Sequence, residues 1–272
     1  MTSDFQRELA ELWAAGTSIL YVVTHEEARA VEICASIAAG VDRGFAVWSS
    51  HRGLDPTARE AKSALEALDV LGTAIAPAMA VLLDFHDALV DPIVVRRLRD
   101  LVPAFTAEQH CVVIIAPELK LPDGLAADTA VVRLPLPDEA ELTHLVDSLI
   151  VGANASAPTE QRDAAVRSAR GLTSTQARRA FVRALLVDPA LGPTAISAVL
   201  RDKRRILARD LGLEDVEIGE KPEDIGGLET FKAWLFERAE AMAPDARRFG
   251  LQPPRGVLLV GVQGCGKSLS AK

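Results

Sequence analysis

The stretch "GVLLVGVQGCGKSLSAK" (256–272) decides how the rest of the chain is read. It opens with an apolar, β-branched run of the kind a buried strand needs. Gly261, Val262, Gln263, Gly264, Cys265, Gly266, Lys267 and Ser268 then fit G-x-x-x-x-G-K-[ST] at every specified position. The spacing has a chemical reason. Glycines let successive backbone N–H groups turn inward around a β-phosphate at the positive end of the following helix. Lys267 would reach the β- and γ-phosphates as a point charge and is the candidate catalytic residue; the Ser268 hydroxyl would ligate Mg²⁺. A chance match has odds of roughly one in a hundred for a chain of this length, and the strand-like run before the loop lowers them. The expected ligands are therefore a nucleotide's phosphates and Mg²⁺. Cys265 lies within the loop, where neighbouring backbone donors lower a thiol's pKa and favour oxidation; the plainer reading is a position that needs a small side chain.

Working outward, 272 residues are enough for two domains, each with a core of its own. A hydrophobic content of 49% with 25% charged residues is that of a globular protein. Thirty basic against 38 acidic side chains leave a net charge of -8, which argues against a nucleic-acid partner. The longest apolar runs, "AVLLDF" and "CVVIIA", fall far short of the roughly 20 residues of a membrane helix. "MTSDFQRELAEL" lacks the basic-then-apolar plan of a signal peptide. Cys34, Cys111 and Cys265 are odd in number and form no CxxC pair, so a reduced, cytoplasmic compartment is expected, without a zinc site.

The first half alternates strand-like and helix-like stretches. A helix over 4–15 carries Phe5, Leu9, Leu12 and Trp13 on one side and stops at Gly16. "SILYVV" (18–23), "FAVWSS" (45–50), "MAVLLDF" (79–85), "CVVIIA" (111–116) and "AVVRL" (130–134) read as five strands. Asp55-Pro56 and Asp91-Pro92 each read as an N-cap followed by proline at the first helical position, the second helix turning Ile93, Val94, Leu98 and Leu101 inward. Apolar strands joined by amphipathic helices predict an α/β domain with a parallel sheet covered by helices, over residues 1–137. Residues 138–211 read as all-helical, broken at "GANASAPT" (152–159), Gly171 and "DPALGP" (188–193). A linker over 212–223 precedes a new unit, 224–272, with a helix around Phe231, Trp234, Leu235 and Phe236. The run "RDKRRILARD" (201–210) alternates in sign and reads as the wet face of a helix rather than a nucleic-acid contact.

"EDIGGLETFKAWL" (223–235) and "RRFGLQPPRGVLLVGVQGCGKSLSAK" (247–272) together resemble the opening of the ATPase module of the AAA family. By that resemblance the nucleotide is ATP; Asp224, Ile225 and Gly226 line the adenine pocket, while Gly264, Cys265, Gly266, Lys267, Ser268 and Leu269 hold phosphate. Gln263 in place of the usual proline is nearer to the uncharacterised AAA proteins of cyanobacteria and chloroplasts, a hypothetical chloroplast reading frame, and their bacterial relatives. "YVVTHEE", "LLDFH" and "LPLPDEAEL" resemble the same subgroup. The family would continue past Lys272 with a Walker B strand, sensors, an arginine finger and a lid. The expectation is therefore a fragment holding the truncated start of a P-loop AAA domain, which does not hydrolyse ATP by itself and is poorly packed over 220–272.

Residues 18–205 resemble the same module in element order, and so read as a degenerate AAA-like domain followed by a helical lid-like segment. "MAVLLDFHD" stands where a Walker B strand would, with Asp84 at the metal-ligand place but Phe85 where the glutamate belongs; "VVIIAPELKLPDGL" resembles the sensor strand. The loop after the first strand, "THEEARA", has neither glycine nor lysine. If the first and third strands were neighbours, His25, Glu26, Asp84 and His86 would gather at the sheet's carboxyl edge as a retained metal or ligand site; solvated loop-end residues are the plainer alternative. Three functions stay open. The first is a ring-forming, homo-oligomeric ATPase that remodels a protein substrate in its full-length form. The second is a non-catalytic interaction module whose first domain binds a protein partner. The third, disfavoured by the net acidity, is a DNA-linked ATPase.

Overall fold

The computed structural model describes residues 4–73, 77–211, 226–241, 246, 250, 256–262 and 266–270, without the side chains of 209–211, 268 and 269. The chain divides into two units, 1–206 and 207–272.

The first unit begins with α1 (Asp4–Ala14), whose buried residues Phe5, Leu9 and Trp13 recur at helical spacing. Gly16, at φ +86°, turns the chain out of it, a conformation that costs glycine little. Then follow β1 (Ile19–Val23), α2 (Glu27–Gly40), β2 (Phe45–Ser49), β3 (Gly53–Asp55), α3 (Ala64–Leu71), β4 (Met79–Leu83), α4 (Pro92–Glu108), β5 (Cys111–Ala116) and β6 (Thr129–Arg133). The sheet order is β3-β2-β4-β5-β1-β6. β2, β4, β5, β1 and β6 pair in parallel, and β3 is an antiparallel edge on β2.

Burial explains the order. β1 and β5 are buried at every residue and take inner places, as strands covered on both faces must. One face packs Tyr21, Trp48, Leu82, Phe85 and Ile114 against α3 and α4; the other packs Leu20, Val22, Val81, Val113 and Ile115 against α1 and α2. The chain's single tyrosine is fully buried within β1, and its hydroxyl is satisfied twice. It donates to the Glu118 carbonyl at 2.7 Å and accepts from the Lys120 N–H at 3.2 Å.

Two local expectations need correction. The device at Asp55-Pro56 opens no helix, because Asp55 is spent in the β2–β3 ladder opposite Val47. Leu54 and Ala58 then exchange both backbone hydrogen bonds, closing a turn in the helix's place. The helix starts at Ala64, where Ser63 and Glu66 cap each other reciprocally. At Asp91-Pro92 the device works, Asp91 Oδ1 accepting from the Ile93 N–H at 2.8 Å. Val94, Leu98 and Leu101 of α4 turn inward, but Ile93 lies in the first turn and is 64% exposed.

Four helices follow: α5 (Glu139–Gly152), α6 (Thr159–Ala169), α7 (Ser174–Val187) and α8 (Pro193–Leu211). They share a separate core built on Leu142, Val146, Val166, Phe181, Leu191 and Val199. Reciprocal caps start two of them, Asp138 with Glu141 for α5 and Thr173 with Gln176 for α7.

The second unit contains α9 (Glu229–Glu240) and α10 (Lys267–Ser270) among its described residues. α9 buries none of its side chains; Trp234, Leu235 and Phe236 remain exposed. Phe231 stacks on Trp234, and the Arg238 guanidinium lies 5.4 Å from the Trp234 ring centroid. The linker expected over 212–223 lies outside the described residues.

Candidate functional site

The run 256–262 carries no strand pairing among the described residues, contrary to the expected strand. A parallel strand exists only through neighbours that take its N–H and C=O groups. The six strands of the sheet all lie between Ile19 and Arg133. Leu258, Val260 and Val262 are accordingly exposed.

The described ends of the loop nevertheless meet. Gly266 sits at φ +83°, in the left-handed region that favours glycine, and passes directly into α10. A β-carbon there would meet nothing within 4 Å, so the backbone angle rather than crowding calls for glycine. The Lys267 ammonium turns back over the loop, donating to the carbonyls of Gly261 at 2.7 Å and Val262 at 2.6 Å. The Ser270 N–H and hydroxyl both reach the Gly266 carbonyl. The structure therefore brings Gly261, Gly266 and Lys267 together. The Gly261 and Val262 carbonyls fix the ammonium beside the positive-φ glycine. Asp224, Ile225, Gly264 and Cys265 lie outside the described residues, as do the side chains of Ser268 and Leu269. Gly226 is described and exposed.

The residues expected to gather at the sheet's carboxyl edge do not form one site. β1 and β4 are not neighbours, because β5 lies between them. Asp84 is exposed and takes a left-handed conformation at φ 52°, and His25 is exposed. His86 and Glu26 are buried, but with different partners. His86 Nε2 lies 3.5 Å from Asp87 Oδ1 and 3.9 Å from Glu118 Oε1, while Lys120 Nζ holds Glu118 at 2.6 Å. No group of three or more potential metal ligands occurs among the described residues. Phe85 is fully buried edge-on to Trp48, with centroids 5.4 Å apart, so the glutamate place of the Walker-B-like segment is part of the core.

Glu26 belongs to a second constellation that the sequence reading missed. Arg29 donates to Glu26 at 3.0 Å, to Glu141 at 2.7 and 3.3 Å, and to the Pro135 carbonyl at 2.6 Å. The other Glu26 oxygen accepts from the Ser174 N–H, at the first turn of α7. Its local signal was present in the i, i+3 spacing of Glu26 and Arg29; its distant partners, Glu141 and Ser174, carry no such signal.

Family models match nearly the whole first unit. Residues 5–134 match the N-terminal domain, and residues 140–210 the second domain, of SpoVK-like AAA ATPases. The uncharacterized AAA domain-containing protein ycf46 of Guillardia theta is 30% identical over 276 residues, covering 99% of this chain and 54% of that protein. The same-named protein of Trieres chinensis is 29% identical, covering 98% and 55%. The chain thus spans about half the length of these curated relatives. Among solved structures, the FIGL-1 AAA domain superposes with a TM-score of 0.52 at 11% identity, covering 86% of this chain and 85% of that one.

Proposed function

The chain belongs to the SpoVK-like AAA ATPases, and we propose that it binds ATP with Mg²⁺ at the 261–268 loop, as part of a protein-remodelling motor. The observation that carries this reading is the Lys267 ammonium drawn across the loop onto the Gly261 and Val262 carbonyls, next to the positive-φ Gly266. The two carbonyl contacts hold the ammonium beside the loop, and phosphate oxygens would exchange for them, giving stronger charge-assisted bonds. Ser268 follows Lys267 and supplies the hydroxyl for the metal, which neutralises developing charge when phosphate is transferred. Asp224, Ile225 and Gly226 form the adenine side, and Gly264, Cys265 and Leu269 complete the phosphate side. Assembly as a homo-oligomeric ring acting on a protein substrate belongs to the same reading. The cytoplasm is the proposed compartment; no helix among the described residues is long and apolar enough to cross a membrane.

A second reading, a partner-binding role for the first domain, is favoured by one observation. Val182, Leu186 and Val187 of α7 are exposed at 41%, 82% and 50%, an unusual apolar density for a solvent face.

Calorimetric titration of the 272-residue chain with MgATP, beside Lys267→Ala, tests the main reading. Saturable heat lost in the variant supports it; equal binding by both proteins, or none by a wild-type chain whose first unit is folded, refutes it.

A further inference from the structure

The loop after β1 is where an open α/β sheet receives ligands, at the carboxyl ends of the strands and the N-terminus of the next helix. In this domain that place is filled from within. Thr24 Oγ1 accepts from the Glu26 N–H at 2.9 Å and fixes the loop, and the Glu26 side chain, 6% exposed, turns inward. An anionic ligand at α2 would meet Glu26 and Glu27, two carboxylates supplied by the chain, in place of the glycines and lysine that draw phosphate.

We propose that a charge latch, Glu26–Arg29–Glu141, takes the place of nucleotide as the joint between the sheet and the four-helix half of the first domain. This domain then stays closed whether or not ATP is bound elsewhere in the chain. Each end of the latch is anchored. Glu26 places negative charge on the first N–H of α7, a favourable position at a helix N-terminus. Arg29 grips Glu141 with two nitrogens, and Glu141 already belongs to the reciprocal cap that starts α5. The Pro135 carbonyl, in the segment joining the halves, takes a further Arg29 N–H. The loop after β1, the connecting segment and α5 thus meet at one guanidinium whose side chain is 12% exposed, and α7 joins through Glu26. All three guanidinium nitrogens of Arg29 and both Glu26 oxygens are paired within the chain. The inference stands on the first domain alone and does not require the 261–268 loop to bind ATP.

Hydrogen–deuterium exchange on the full 272-residue chain tests it, comparing wild type with Arg29→Met, which keeps the length but not the charge. The expected result is about tenfold or greater acceleration at the amides opening α5 and α7, including Ser174, with β1, β4 and β5 exchanging at wild-type rates. MgATP is expected to leave α2, α5 and α7 unchanged in the wild type. Wild-type rates at α5 and α7 in Arg29→Met, or slowing at α2 when MgATP is added, would overturn the proposal. If Arg29→Met loses protection in the sheet as well, the Glu26→Gln/Glu141→Gln pair decides. That pair keeps shape and acceptors but removes both charges. Faster exchange confined to α5 and α7 supports the latch, and wild-type rates there refute it.

Discussion

Phe85 shows how one side chain can decide chemistry. It stands one residue after Asp84 at the end of β4, where a carboxylate would have to face ligand and water. Instead it is fully buried against Trp48. Phe85→Ala is expected to cost about 3–5 kcal/mol by leaving a cavity in a close-packed site, and to create no activity. Phe85→Glu should fail to fold rather than restore a catalytic residue, because an unpaired charge has no partner there. Arg29 acts through pairing instead. Arg29→Ala leaves Glu26 buried without its cation and should cost about 3 kcal/mol, the lower part of the range for a broken buried pair, since Glu141 is one-third exposed and can turn to water. Both losses are readable in urea unfolding midpoints.

Three buried acids, Cys34, Cys111 and Tyr21, set the alkaline limit, and burial raises the Cys111 thiol even further than that of Cys34. Burial pushes the Cys34 thiol from its ordinary 9.0 up to about 12, and burial also raises the Tyr21 hydroxyl above its ordinary value. Each group keeps its proton in the folded state after the unfolded chain has lost it. Their contribution is therefore complete below pH 9 and is lost as pH rises towards 12. The expected outcome is falling stability above pH 9, with Cys34→Ala flattening the decline. Because Tyr21 is the chain's single tyrosine, its tyrosinate absorbance should appear together with unfolding rather than before it.

At the scale of elements, caps did much of the specifying. Thr173 Oγ1 accepts from the Gln176 N–H at 3.2 Å, and the Gln176 side chain returns the bond to Thr173 N. Thr173→Ala should cost about 1 kcal/mol, seen as a lower melting temperature. Devices of this kind made much of the fold legible. The five parallel strands stood out as short apolar runs, and the helical half as periodic segments broken at Gly171 and two loops. What escaped was set by pairing across space. β3 is three residues long and exists because β2 lies beside it. The separation of β1 from β4 follows from β5's burial on both faces, which no local pattern in β1 or β4 contains. The same limit governs the sites. The glycines and lysine of 261–268 announce themselves by spacing, whereas Arg29 reaches across 112 positions to Glu141.

At the scale of the molecule, the buried clusters among the described residues lie between Phe5 and Val199. In the proposed division of labour, the first domain is held shut by its own charges and the 261–268 loop takes the nucleotide.

The stoichiometry of bound nucleotide tests that division most directly. Native mass spectrometry of the 272-residue chain, saturated with a non-hydrolysable ATP analogue and Mg²⁺, should show one nucleotide per chain, and none in Lys267→Ala. Two nucleotides on the wild type, or one retained by Lys267→Ala, would place a working site in the first domain and contradict the account.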